Sequence, residues 1–242
     1  MESMSDTVIL SSKTSMAPSF SIRSVTVFRD DFNHFDKSHY RIEVDATGGG
    51  NGEFQIYTPE HQNLYTANGY LYIKPWNAKA MSNGVNHGIT QITSALHWGT
   101  DRAHKRSNHN ERQSNGGDWH SWHTYSLEWT AQHIICPVDN HEILRVNTPS
   151  NGFWEAGNFS GTNIWGDNKN APFDQPFRVL LNVAVAGLGF FSDRYQYDTP
   201  KPWRNDSPHP KRDFWEKRNV WLPTWQGDYV AMLIDYIEMI QY

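Results

Sequence analysis

Tryptophan and asparagine stand out among the residues whose chemistry could serve a ligand. The chain of 242 residues holds 11 Trp, 20 Asn and 17 Gly. Trp offers flat apolar faces, and Asn offers a donor and an acceptor on one short side chain. A sugar ring has an apolar face and a hydroxyl rim, so the two together suit carbohydrate. The competing reading is that Trp fills a core and Asn makes turns. Metal chemistry has one weak signal, His120 and His123 in Trp119-His-Ser-Trp-His123, with no Cys beside it. Neither a Gly-rich phosphate loop nor a Gly-x-Ser-x-Gly nucleophile elbow occurs. The single cysteine, Cys136, excludes an internal disulfide and a cysteine-based zinc site.

Composition narrows the classes further. The chain is 38% hydrophobic, 14% aromatic and 19% charged, with a net charge of −5. That many aromatics cannot stay solvated at so low a charge density, so full disorder is excluded. No apolar run is long enough for a membrane-spanning helix. The negative balance, with no basic stripe, argues against nucleic acid as a partner. Residues 1–24 lack the basic start and continuous apolar block of a signal peptide and read as a disordered leader. Asn158-Phe-Ser160 and Asn205-Asp-Ser207 are sequons, which matter only in a secreted chain.

The elements that must position such residues read as strands. Tyr40–Ala46 alternates, and Gly48-Gly-Gly-Asn-Gly52 then breaks the chain. Phe54–Thr58 and Tyr70–Lys74 follow, with a turn at Asn68-Gly69 before the second. Ile89–Trp98, Trp122–Trp129 and Glu142–Asn147 come next, and Arg178–Ala186 and Met232–Gln241 are the strongest. Thr100–Asp118 reads as a polar loop. Asp193–Pro223 reads as a long ordered surface loop held by its aromatics. Sustained helical periodicity is absent, so the expectation is an all-β sandwich. His97 falls on a polar strand face with Gln91, Thr93 and Ala95. Asn182 sits among small residues opposite a core face of Phe177, Val179, Leu181, Val183 and Val185. Trp122 and Trp154 are candidates for stacking by their aromatic faces.

These stretches carry a resemblance. Asp30-Asp-Phe-Asn33, Gly48-Gly-Gly-Asn-Gly-Glu-Phe-Gln-Ile-Tyr-Thr58 and Gly69-Tyr-Leu-Tyr-Ile-Lys-Pro75 resemble the first strands of the laminarinase-like branch of family-16 glycoside hydrolases. That branch includes the β-1,3-glucan-binding proteins of innate immunity. Ser94-Ala-Leu-His-Trp-Gly99, His123-Thr-Tyr-Ser-Leu-Glu-Trp-Thr130, Ala171-Pro-Phe-Asp-Gln-Pro-Phe177, Leu181-Asn-Val-Ala-Val185, Trp221-Leu-Pro-Thr-Trp225 and Ile234-Asp-Tyr236 are similar to the rest, in order. The resemblance implies a concanavalin A-like jelly-roll β-sandwich over residues 25–242, acting as a monomer in an extracellular setting, with β-1,3-glucan as partner. It implies that His97 and Asn182 line the cleft. It also implies a structural calcium ion on main-chain oxygens of Asp31 and Gly69 and on Asp235.

One block of the family pattern is missing. The family's catalytic strand, Glu-Ile-Asp-x-x-Glu, belongs between the stretches matching Tyr70–Pro75 and Ile89–Trp98. Here Pro75-Trp76-Asn77 runs almost directly into Met81, with Lys79 and Ala80 near the place of the last Glu. Retaining glycoside hydrolysis needs two carboxyl groups about 5–5.5 Å apart. The only Glu-x-Asp is Glu43-Val-Asp45, and the next required position is Gly48. Asp235 and Glu238 lie three apart on a strand and face opposite ways. No catalytic residue is therefore assigned, and the concave sheet is expected to be incomplete. Three functions remain in view: a non-catalytic β-1,3-glucan-binding pseudoenzyme, an active endo-β-1,3-glucanase using an unrecognised acid such as Glu128, and a shortened product with no independent function.

Overall fold

The computed structural model describes residues 6–11, 24–47, 52–74, 91–101, 103–113, 121–189, 191–194, 200–228 and 230–242. The chain forms two compact units. One comprises Met1–Asp30, Thr90–Leu180 and Tyr236–Tyr242; the other comprises Asp31–Ile89 and Leu181–Asp235.

The first unit is built on a six-stranded sheet and a hairpin. The sheet joins β1 (Asp6–Ser11), β2 (Val25–Asp30), β7 (Tyr125–Trp129), β8 (His133–Val138), β9 (His141–Asn147) and β11 (Tyr236–Gln241), in the order β2-β11-β1-β7-β8-β9. The hairpin pairs β5 (Gln91–Trp98) with β6 (Arg106–Gln113). Val138 and His141 pair across a two-residue turn whose Asp139 and Asn140 have φ of 50° and 62°. That left-handed geometry matches the twist of the strands it joins.

The core follows from strand alternation. Ile134, Leu144 and Val146 share one face of β8 and β9, and Phe153 and Phe173 pack onto it. Leu96 and Trp98 of β5, Leu127 and Trp129 of β7, and Cys136 close around them. Phe153 lies edge-on to Phe173 at 4.9 Å and to Trp98 at 5.4 Å. Full burial of each such side chain stabilises by roughly 1.5–3 kcal/mol. Phe153 belongs to a five-residue helix, α1 (Gly152–Ala156), too short to stand without this packing.

The second unit holds a three-stranded sheet, β10 (Met232–Ile234), β4 (Tyr70–Ile73) and β3 (Leu64–Ala67). Asn68 and Gly69 adopt φ of 54° and 75° in the turn joining β3 to β4, as their Asn-Gly sequence predicts. Two short helices, α2 (Pro210–Glu216) and α3 (Arg218–Trp221), carry aromatics into a compact cluster. Phe54 meets Trp203 at 5.3 Å, Trp203 meets Phe214 at 5.5 Å, and Phe214 stacks on Trp221 at 4.6 Å. The aromatics of 193–223 thus hold that segment as expected, but as core, with Trp203 and Trp221 buried.

Several expectations need correction. Asp6–Ser11 is not part of a leader without structure: its backbone pairs with β11 on one side and β7 on the other. The β-prone run Thr7-Val-Ile-Leu10 gains ladder bonds along both edges there. Within Thr100–Asp118, polar Arg106–Gln113 forms β6, because β5 supplies a full register of partners from Trp98–Arg106 to Gln91–Gln113. Strand β8 has no counterpart among the sequence-predicted elements. Tyr40–Ala46 and Phe54–Thr58 reduce to one bridge, Asp45 with Tyr57. Arg178–Ala186 forms no strand, and Phe177, Val179 and Leu180 are 60%, 40% and 76% exposed. Its composition suits a sheet, but a strand needs a neighbour to bond. Residues 76–80, where a shortened junction is expected, and His120 lie outside the described residues.

Candidate functional site

A polar ladder in the second unit is the best-formed constellation. Glu53, Gln55 and Tyr57 alternate along an extended segment, as a period of two requires. Gln55 Nε2 donates to Glu53 Oε2 at 2.8 Å and to the Tyr57 hydroxyl at 2.7 Å. Asn182 Nδ2 donates to the same hydroxyl at 2.9 Å. The backbone N–H of Val185 donates to Gln55 Oε1 at 2.9 Å. A carboxylate, two amides and a phenol are thereby fixed in sequence, with Glu53 buried and Asn182 exposed. Gln55, Tyr57 and Asn182, the members that reach the surface, can read the hydroxyl rim of a saccharide, with Glu53 as the buried anchor.

Local sequence explains the rigidity of the ladder. Phe54, between its first two members, packs on Trp203 and Phe214. The Phe54 N–H donates to Val185 O at 2.9 Å, and the Leu188 N–H donates to Gly52 O at 3.3 Å. Gly187 lets these segments approach: it has φ of 127°, and a Cβ there would lie 3.0 Å from Glu53 Cα. Trp203 Nε1 closes the assembly with a bond to Gly187 O at 3.2 Å.

The sequence-predicted groove residues fare differently. Asn182 joins the ladder, though not from a strand. His97 is exposed on β5 with Thr93 and Ala95, while Leu96 and Trp98 face the core, as alternation predicts. Trp122 precedes β7 and is 46% exposed. Trp154 is 6% exposed on α1, packed against Trp165 at 5.3 Å and Phe159 at 5.4 Å. A ring enclosed by other rings cannot stack on a sugar, so Trp154 is a packing residue. Glu53, Gln55 and Tyr57 were not singled out from sequence, although the alternation Glu-Phe-Gln-Ile-Tyr carried the signal.

The candidate acids are engaged elsewhere. Glu128 Oε1 lies 2.7 Å from His133 Nε2, Glu43 lies 3.8 Å from Arg41, and Glu238 pairs with Arg29 at 3.3 Å. His123 Nδ1 lies 2.6 Å from Asp139 Oδ2, whose other oxygen accepts the Thr124 N–H at 2.9 Å. Burial, with the Asp139 charge adding to it, pushes the nearby Tyr125 phenol up. Burial also raises the Cys136 thiol, which keeps it protonated and poorly nucleophilic.

The residues expected to hold calcium all belong to the second unit. Ile234, which precedes Asp235, pairs with Leu71, two residues from Gly69. Asp235 is 2% exposed. Among the described residues, no group of three or more His, Cys, Asp or Glu could hold a metal ion. A cation here would depend on main-chain oxygens plus one carboxylate, hard donors of the kind calcium accepts.

Comparison with known proteins identifies relatives. No protein-family model matches the chain. The β-1,3-glucan-binding protein of Penaeus monodon is 36% identical over 162 residues, which is 60% of this chain and 42% of that protein. β-1,3-glucan-binding protein 1 of Manduca sexta is 32% identical over 56% of this chain and 28% of its own length. Gram-negative bacteria-binding protein 1 of Drosophila melanogaster is 35% identical over 49% and 23%. The matches therefore span less than half the length of these relatives. Among solved structures, the catalytic domain of a laminarinase from Thermotoga petrophila aligns with a TM-score of 0.54, at 15% identity over 90% of this chain and 98% of that one. The laminarinase from Rhodothermus marinus aligns with a TM-score of 0.51, at 16% identity over 90% and 97%. By sequence, the chain is similar to β-1,3-glucan-binding proteins over part of their length, and by fold it is an all-β jelly-roll sandwich like those of solved family-16 glycoside hydrolases.

Proposed function

We propose that this chain binds β-1,3-glucan and does not cleave it. The observation that carries the reading is the set of relatives named for glucan binding, joined to a sequence that lacks Glu-x-Asp-x-x-Glu. The ladder supports it: Gln55, Tyr57 and Asn182 reach the surface as fixed donors and acceptors, and buried Glu53 holds Gln55 from behind. Exposed His97 and Trp122 support it from the first unit. In this reading the chain works outside the cell as a monomer, and a structural calcium ion would sit on Asp31, Gly69 and Asp235. Among the described residues, no helix is long and apolar enough to cross a membrane.

With one half-exposed tryptophan at the expected groove, affinity for a short oligosaccharide should be millimolar, about −4 kcal/mol. The test is retention on insoluble β-1,3-glucan, together with reducing ends released from laminarin. Retention of the wild type, its loss in Tyr57→Phe, and release no greater than a boiled control are expected. Turnover abolished by Glu128→Gln would replace this reading with an endo-glucanase.

One observation favours a second reading, a shortened product without independent function. The β-prone segment after Pro176 is exposed where a sheet neighbour would cover it, with Leu180 at 76%. Absence of both retention and turnover would select that reading.

A further inference from the structure

The two sequons have opposite settings, and the difference decides which can carry a sugar. Asn158 follows α1, with φ of 51° and its backbone N–H donating to Glu155 O at 2.9 Å. Its neighbours are drawn inward. Phe159 packs on Trp154 at 5.4 Å and on Trp165 at 5.5 Å, and the Arg106 guanidinium lies 4.8 Å over its ring. Gly157 is buried beneath that ring, so closely that a Cβ would lie 2.3 Å from it. Arg106 Nε donates to the Gly157 carbonyl at 2.7 Å. Between these anchored residues Asn158 stands exposed at the tip of a turn, and Ser160 is exposed two residues on. Among the described residues, neither side chain makes a hydrogen bond. The tip is thus rigid in backbone and free in side chain.

Asn205 is the reverse. Its Oδ1 accepts from Lys201 Nζ at 2.6 Å, and its Nδ2 donates to Leu188 O at 3.2 Å. Its backbone N–H donates to Asp193 Oδ2 at 2.8 Å. Ser207, the third residue of that sequon, donates its hydroxyl to Asp213 Oδ2 and accepts the His209 N–H at 3.1 Å. To present its amide to a transferase, Asn205 would first have to release both Leu188 O and Lys201 Nζ.

We propose that Asn158 is a site of N-linked glycosylation in this chain and that Asn205 is not. The co-reactant is an oligosaccharide carried on a lipid pyrophosphate. Asn158 Nδ2 forms a bond to the first sugar's C1 as the bond from C1 to the pyrophosphate oxygen breaks. The amide gives up one proton, and the lipid pyrophosphate leaves with the bonding electrons. No electron transfer is involved. The inference rests on the extracellular setting of the proposed function. The experiment separates site choice from natural targeting by supplying the route.

The full chain is expressed behind a cleavable secretion signal in insect cells, and protein from cells and medium is pooled. Intact mass is measured before and after peptide N-glycosidase in heavy-oxygen water, which tags the former glycan site as an isotopically labelled Asp. One glycan and a tag at residue 158 are expected in the wild type. Ser160→Ala, which leaves the left-handed Asn158 backbone untouched, should lose the glycan. Ser207→Ala should keep it. An unmodified wild type, a glycan that survives Ser160→Ala, or a tag at residue 205 would overturn the proposal. Glucan retention by the unglycosylated Ser160→Ala protein tests the functional reading separately, so the two can fail independently.

Discussion

Lys201→Met is the most informative single change for the framework around the polar ladder. The Lys201 side chain is 5% exposed, and its ammonium is held from four sides. It donates to Phe191 O at 2.9 Å and Asn205 Oδ1 at 2.6 Å, pairs with Asp193, and lies 4.9 Å over the Trp203 ring. Met keeps the apolar stem and removes every polar contact. Hydrogen bonds to charged groups contribute about 1.5–3 kcal/mol each, and a cation over Trp adds about 0.5–2 kcal/mol. Asp193 is 34% exposed and rehydrates when the ammonium goes, so the net loss falls below the sum. We expect about 2–4 kcal/mol, read from urea unfolding. The pH dependence follows from Asp193, whose carboxyl is held below the usual carboxylate range first by the Lys201 hydrogen bond and then by the Asn205 N–H. A depressed folded-state pKa stabilises above the unfolded value near ~3.9, and that contribution fades as pH falls through the lower folded value. The wild type's advantage over Lys201→Met should therefore hold at neutral pH and shrink below about pH 4. A cost under about 0.5 kcal/mol, or one unchanged between pH 7 and the acid limb, would refute the reasoning.

Three further outcomes are expected. Gly187→Ala places a Cβ 3.0 Å from Glu53 Cα at φ of 127°, so it should cost about 1–3 kcal/mol and weaken retention on glucan; an unchanged melting temperature would count against the close approach. If calcium binds at Asp31, Gly69 and Asp235, the melting temperature should fall in chelator and recover with added calcium, and equal melting in both would remove the site. Leu180→Lys changes a side chain that is 76% exposed, so it should leave stability within about 0.5 kcal/mol and lower self-association by light scattering; a large loss of stability would show that Leu180 packs as core.

Legibility from sequence differed by element, for physical reasons. Asn68-Gly69 was legible because two left-handed residues in succession have few alternatives. Strands β7, β9 and β11 were legible because their alternation faces a core on one side. Met232–Gln241 splits at Asp235 into β10 and β11, each pairing in a different sheet, which periodicity alone does not encode. Arg178–Ala186 carried the stronger pattern and forms no strand, since pattern reports what a segment could bury and not whether a neighbour exists. Polar β6 shows the converse, a strand made by its partner's ladder with no apolar rhythm of its own. The candidate ladder of the second unit was legible in one member. Asn182 stood out as a polar residue among small ones, while the burial of Trp154 depended on Phe159 and Trp165 folding back over a short helix.

The tryptophan excess, the first hint of a sugar ligand, changes meaning once its members are placed. Trp154, Trp203 and Trp221 are buried, and Trp98, Trp129 and Trp165 pack against the core of the first unit. Trp122 and Trp215 are 46% and 49% exposed, and Trp215 lies beneath the Arg218 guanidinium at 5.0 Å. Most of the excess is therefore spent on packing, which short helices and long connections need when few strands are available to bury them. Recognition must then rely on hydrogen-bonding groups more than on stacked rings. Those groups exchange water for hydroxyls at modest net gain, near ~1 kcal/mol each. A single saccharide would be held weakly, and a long polymer, offering the same hydroxyl pattern many times over, would be held better by rebinding along its length.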